Sequence, residues 1–175
     1  MNNDPDYHAQ VNEALTKLHE AGFFWDDQND FLKGQYFTTL KIGWKKSDVL
    51  LKLDFVNDIE VQYGGIVETP LYHRTDSLRN IISNKLTCLF RFAGKDVADI
   101  REIALKTEVN WKQAIEDAQH KDLGIDAKII CDILRSFPES EFNLVEWIKK
   151  PRWEEFYADI QHIIKEILHG ENFER

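Results

Sequence analysis

Apolar residues recur at helical spacing at both ends of this chain, and at crowded or alternating positions between them. Near the start, Val11, Leu15 and Leu18 fall on one helix face. Asp4-Pro5-Asp6 ahead of them suits a helix start, with acids at the positive end of the dipole, and Gly22 suits its end. Phe23, Phe24 and Trp25 follow at once, which predicts that this end docks on a core, while Asp26 to Asp30 reads as a polar loop. Two strands are predicted next. Tyr36-Phe37-Thr38-Thr39-Leu40-Lys41-Ile42 is rich in aromatic and β-branched residues. In Val49-Leu50-Leu51-Lys52-Leu53-Asp54-Phe55, Leu51, Leu53 and Phe55 take one face and Lys52 and Asp54 the other. Trp44-Lys45-Lys46-Ser47-Asp48 reads as the hairpin turn between them, and Val61 to Tyr63 as a third short strand.

Beyond Pro70 the period becomes helical and stays so. Thr75 or Asp76 is placed to cap a helix holding Leu78, Ile81, Ile82, Leu86 and Leu89, which Gly94 breaks. Val97, Ile100, Ile103 and Ala104 mark the next helix. Trp111 to Ala118, Asp126 to Phe137, Phe142 to Ile148 and Trp153 to Leu168 follow, with Pro138 and Pro151 between the later ones and Gly170 closing the last. The expected fold is α+β with segregated elements: an N-terminal helix and a small antiparallel or mixed sheet over residues 1–70, then a helical bundle over residues 71–175.

Charge narrows the choice of partner. Lys and Arg total 22 against 31 Asp and Glu, a net charge of −9. Unspecific nucleic-acid binding needs cationic surface, so this balance argues against it but leaves room for a local basic pocket or a divalent metal. Cys88 and Cys131 lie in apolar helical runs and build no disulfide framework. No segment reaches the roughly 18 to 20 consecutive apolar residues of a membrane span, and the N-terminus lacks the pattern of a signal peptide. A cytoplasmic protein with no membrane partner is expected.

Three places hold candidate chemistry. Asp54 is a carboxylate on a largely apolar strand. Either it faces water beside Lys52, or it serves as a metal ligand or as a base for a hydroxyl. Lys85 projects from the apolar stripe between Ile81 and Leu89. It either snorkels over that stripe or faces a phosphate as a point charge. In Lys95-Asp96-Val97-Ala98-Asp99 the two acids share a helix face, and Asp96 falls in the first turn, where free backbone amides await an acceptor. Arg91 and Lys95 either pair with these acids or face an anionic ligand. The six histidines include no pair within one helix turn, and neither a Gly-x-Ser-x-Gly elbow nor a phosphate-binding loop is present.

The order of these pieces is distinctive. The strand Leu51-Lys52-Leu53-Asp54-Phe55 precedes Ile81-Ile82-Ser83-Asn84-Lys85-Leu86, which precedes Gly94-Lys95-Asp96-Val97-Ala98-Asp99-Ile100. This succession resembles the AbiEii/AbiGii toxin family of nucleotidyltransferases, within the DNA polymerase β-like superfamily, and covers roughly Val49 to Leu105. The resemblance implies a partial nucleotidyltransferase fold followed by a helical bundle. It also implies Mg²⁺-dependent transfer of a nucleotide from an NTP to tRNA or protein, by the toxin of a toxin–antitoxin or phage-defence pair. On that basis Asp54 would be a catalytic carboxylate and metal ligand and Asp96 the downstream catalytic acid. Lys85 would contact nucleotide phosphates, with Lys95 and Asp99 beside it. The family's Gly-rich stretch and Asp-x-Asp strand have no counterpart here. A truncated, catalytically incomplete member is therefore expected; a non-enzymatic interaction module of such a defence system is the alternative. A sheet without those strands exposes an edge and an apolar face. A homodimer, or a partner chain such as an antitoxin, is expected across it, with Phe23, Phe24, Trp25, Tyr36 and Phe37 contributing.

Overall fold

A computed structural model describes residues 4–44, 47–57 and 61–172, the last three by their backbone alone. The fold is α+β, as expected. Helix α1 (Tyr7–Glu20) leads into strands β1 (Phe23–Phe24), β2 (Phe31–Lys33), β3 (Phe37–Trp44) and β4 (Ser47–Val56). Gly22, at φ +92°, turns the chain out of α1 in a conformation that disfavours a side chain. All pairings are antiparallel: β3 is central, β4 lies along one side of it, and β1 and β2 share the other. Thr38, Leu40 and Ile42 alternate inward and are buried with Tyr7 and Val11 of α1. The Tyr7 hydroxyl donates to the Phe55 carbonyl at 2.9 Å and lies 3.1 Å from Thr38 Oγ1, which seats the helix on the sheet. Of the expected interface aromatics, Phe24, Tyr36 and Phe37 are exposed, whereas Phe23 and Trp25 are half-buried. The central residues of the expected hairpin turn, Lys45 and Lys46, lie outside the described residues.

The remaining helices are α2 (Leu78–Cys88), α3 (Gly94–Lys106), α4 (Trp111–Lys121), α5 (Ala127–Ser136), α6 (Glu139–Leu144) and α7 (Trp153–Asn172). Leu86, Ile100, Ile130, Leu134, Ile160 and Ile167, one or more from each long helix but α4, are fully buried. Helix α4 adds Trp111, Ala114 and Ala118 to the same core. Side chains of Ser77, Asn110 and Asp126 accept the Asn80, Gln113 and Ile129 amides and so open α2, α4 and α5. Under α6, Phe142 packs its ring 5.3 Å from Trp147, 5.4 Å from Trp153 and 5.0 Å from Phe156. Among the described residues no helix is long and apolar enough to cross a membrane.

The structure corrects several expectations. Val61 to Tyr63 is not a strand, and the Tyr63 backbone is bonded to side chains of the helical unit instead: its amide donates to Asn80 Oδ1 at 3.1 Å and Ser77 Oγ donates to its carbonyl at 2.6 Å. Ser77, not Thr75 or Asp76, caps α2, since its hydroxyl alone reaches the Asn80 amide. Helix α6 ends at Leu144, so Trp147 and Ile148 belong to an irregular stretch, and α7 runs through Gly170 to Asn172. The chain forms two units, Met1–Val61 and Gln62–Arg175.

Gly94 does not break a helix; it begins α3. A three-residue 3₁₀ turn, Leu89–Arg91, and Phe92 at φ +52° separate it from α2. A Cβ at Gly94 would collide with the backbone carbonyl of Glu141 and come within 2.9 Å of Val145 Cγ2. Gly94→Ala should therefore destabilise by about 1 to 3 kcal/mol, opposite in sign to the usual gain from removing a helical glycine. Urea midpoints of the two proteins measure it; an unchanged or raised midpoint would contradict the close approach of α3 and α6.

Candidate functional site

The tight turn between α2 and α3 brings the predicted cation and the predicted acids together. Lys85 Nζ donates to Asp96 Oδ1 at 2.9 Å and lies 2.6 Å from Asp99 Oδ2. Arg91 Nη2 donates to the other Asp96 oxygen at 3.2 Å. Asp96 is 0% exposed and each of its oxygens meets one of these two cations, while Asp99 is half exposed. Burial alone would lower the Lys85 pKa. Hydrogen bonds to Asp99 and Asp96, and their charges, outweigh it and raise the ammonium above the ordinary lysine value. Two cations face two carboxylates here, which leaves the group close to neutral. Lys95 is exposed and, with Asp99, Arg101, Trp147 and Lys150, lines an open groove of about 1230 Å³ in the helical unit.

Asp54 belongs to the other unit. It sits on the exposed face of β4, opposite Thr39 of β3. Its Oδ1 accepts from Thr39 Oγ1 at 2.6 Å and its Oδ2 from Lys52 Nζ at 3.0 Å. The Mg²⁺ pair implied by the resemblance calls for several carboxylates converging on ions about 3.5 to 4 Å apart. Among the described residues no group of three or more His, Cys, Asp and Glu is arranged to hold a metal ion. Both Asp54 oxygens are engaged within the sheet, by Thr39 and Lys52.

A second polar cluster, missed from the sequence, lies between α2 and α4. Arg79 clamps Asp117, which is 1% exposed, with Nε to Oδ2 at 2.5 Å and Nη2 to Oδ1 at 2.7 Å. Lys121 Nζ donates to Asn80 Oδ1 at 2.7 Å, Ser83 Oγ at 2.8 Å and Asn84 Oδ1 at 2.5 Å. The Tyr63 ring lies under both cations, and its hydroxyl is 2.9 Å from His120 Nδ1. Burial, then the Asp117 charge, push the Tyr63 pKa up against the smaller pull of Arg79. The signal was there: Asn80, Ser83 and Asn84 stand at helical spacing and form a polar stripe beside the apolar one. Arg101 forms a third knot, with Nη2 2.6 Å from Asp159 Oδ2 and Nη1 2.8 Å from Glu102 Oε1, and ties α3 to α7.

The chain matches no protein-family model, no curated protein and no solved structure.

Proposed function

We propose that this chain is a catalytically incomplete protein of the AbiEii/AbiGii nucleotidyltransferase kind, and that it works as an interaction module of a toxin–antitoxin or phage-defence pair. The order of the Asp54 strand, the Lys85 helix and the Lys-Asp-x-x-Asp helix supports the descent. One observation carries the loss of activity. Lys85, which the resemblance assigns to nucleotide phosphates, has its ammonium held by Asp96 and Asp99 at 2.9 and 2.6 Å. A triphosphate would have to displace two carboxylates, one of them fully buried, to reach it. Asp54 is likewise tied to Thr39 and Lys52.

The test is direct. The full chain is incubated with Mg²⁺, α-labelled NTPs and bulk tRNA, beside the Asp54→Ala variant. Neither should transfer label to RNA or to protein above background. Transfer by the parent chain that Asp54→Ala abolishes would establish the enzyme reading instead. Co-expression with the protein encoded beside it should yield a complex of fixed stoichiometry, and separate elution of the two proteins would count against the module.

A further inference from the structure

Strand β4 pairs with β3 and with no other strand among the described residues. Along this edge Val49 is 61% and Leu50 67% exposed, and Leu51 and Val56 are exposed as well. Asp48, Lys52 and Asp54 interrupt this apolar run, and the β3–β4 register shifts at Gly43/Trp44; sheets use charge and bulges to blunt an open edge, which is otherwise a template for another strand. We propose that β4 pairs antiparallel with β4 of a second copy of this chain, about a two-fold axis through Leu53, so that one sheet runs through both chains. This goes beyond the functional reading above and does not depend on it.

The backbone limits the possible registers. On β3, Lys41 N donates to Asp30 O at 2.9 Å and Phe37 O accepts from Gly34 N at 2.7 Å, so its odd-numbered residues turn their backbone groups toward the β2 side. Its even-numbered residues then turn toward β4, and Asn57 N donates to Tyr36 O at 2.7 Å in keeping with this. With a period of two, the odd-numbered groups of β4 face β3, and those of Leu50, Lys52, Asp54 and Val56 point outward. A two-fold antiparallel pair must match outward groups with outward groups, so the axis passes through a residue rather than between two.

Charge then selects among the central axes. An axis through Leu50 opposes Lys52 to Asp48 but sets Leu53 against Ser47, and an axis through Leu51 opposes Asp54 to Asp48. One through Lys52 opposes that lysine to itself, and one through Asp54 does the same to the aspartate. Only the axis through Leu53 sets Lys52 against Asp54, and it does so twice. It also sets Leu51 against Phe55, Leu50 against Val56, and Leu53 against its own copy. Directly opposed unlike charges and apolar pairs stabilise a ladder, whereas like charges weaken it. Lys52 alone would guard the edge. With Asp54 two residues on, it becomes half of a self-complementary pattern.

Sedimentation equilibrium of the full chain at about 0.15 M salt, where the negative charge of the two copies is screened, tests this. The parent chain should reach twice its 20.6 kDa mass. Lys52→Asp and Asp54→Lys, each alone, should raise the dimer dissociation constant about tenfold or more. An equimolar mixture of the two variants should recover the dimer, because each supplies the charge the other lacks. The mixture does not restore the Lys52–Asp54 pair within either chain, so recovery cannot come from repair of the fold. Should a charge variant fail to fold, Leu53→Cys in a Cys88→Ser background reads the same axis. Opposed Cβ atoms lie about 4.5 to 5.5 Å apart, so copper–phenanthroline should link the chains rapidly at position 53 and not through Val49→Cys. A parent chain that stays monomeric through the micromolar range, a mixture that stays monomeric, or no cross-link at position 53 overturns the proposal.

Discussion

Replacing Lys85 with methionine should lower the unfolding free energy by about 3 to 5 kcal/mol. The variant keeps the apolar stem that covers α2 but removes the ammonium 2.9 Å from a carboxylate that is 0% exposed. Asp96 is then left with Arg91 at 3.2 Å, and Arg91 is largely exposed. The penalty comes from the stranded acid rather than from the lost bond, so it has a signature. Adding Asp96→Leu to Lys85→Met should return much of the stability, since removing both buried charges is often near neutral. Urea unfolding of the parent, the two single variants and the double variant closes the cycle. A loss below about 1 kcal/mol would place this pair with ordinary surface ion pairs. A pH series adds an independent check. The Lys85 pKa is raised in the folded chain, so its contribution is fully present below the ordinary lysine value of 10.5 and fades as pH climbs through the folded value. The parent should therefore lose part of its advantage over Lys85→Met in that alkaline window.

Phe142→Ala should also destabilise by about 3 to 5 kcal/mol. Phe142 is fully buried, with the rings of Trp147, Trp153 and Phe156 all within 5.4 Å of its own. Its carbonyl accepts the Trp147 indole at 3.2 Å, and Lys150 Nζ lies 4.9 Å from its ring. The aromatic neighbours are large planar groups, with Trp147 and Trp153 both packed on Phe156, and they refill such a space poorly. Calorimetry should show the lowered transition, and the emission of Trp147 and Trp153 should shift to the red as water enters. Leu144→Ala, on the same short helix but mostly exposed, should change stability by no more than about 0.5 kcal/mol. Comparable effects at both positions would mean that α6 is not held by its buried face.

The fold was legible in the sequence where one periodicity runs long. Helix α7 holds Phe156, Ile160, Ile163, Ile164 and Ile167 on one face, and β4 alternates apolar and charged residues from Leu51 to Phe55, with Leu53 and Phe55 half-buried and Leu51 exposed. It was illegible where local composition and tertiary partners disagree. Val61 to Tyr63 has the residues of a strand, yet Asn80 and Ser77 hold the Tyr63 backbone. Strand β2 has three residues, too few to show any period. At the candidate site, Lys85 and the Asp96–Asp99 face were readable because the partners lie within about four helix turns of each other in sequence. The Arg79–Asp117 clamp and the Lys121 cage join residues 37 to 41 positions apart on different helices. No local pattern reports such a pairing, since it exists only once α2 and α4 pack.

The buried Lys85–Asp96 pair also has a consequence for how this protein can change over generations. Losing Lys85 strands the buried Asp96 carboxylate, while exchanging both for apolar residues is nearly free, so the two states are separated by an unstable intermediate. Drift at position 85 is blocked unless position 96 moves with it. Among descendants of this gene the two should be inherited, and replaced, together.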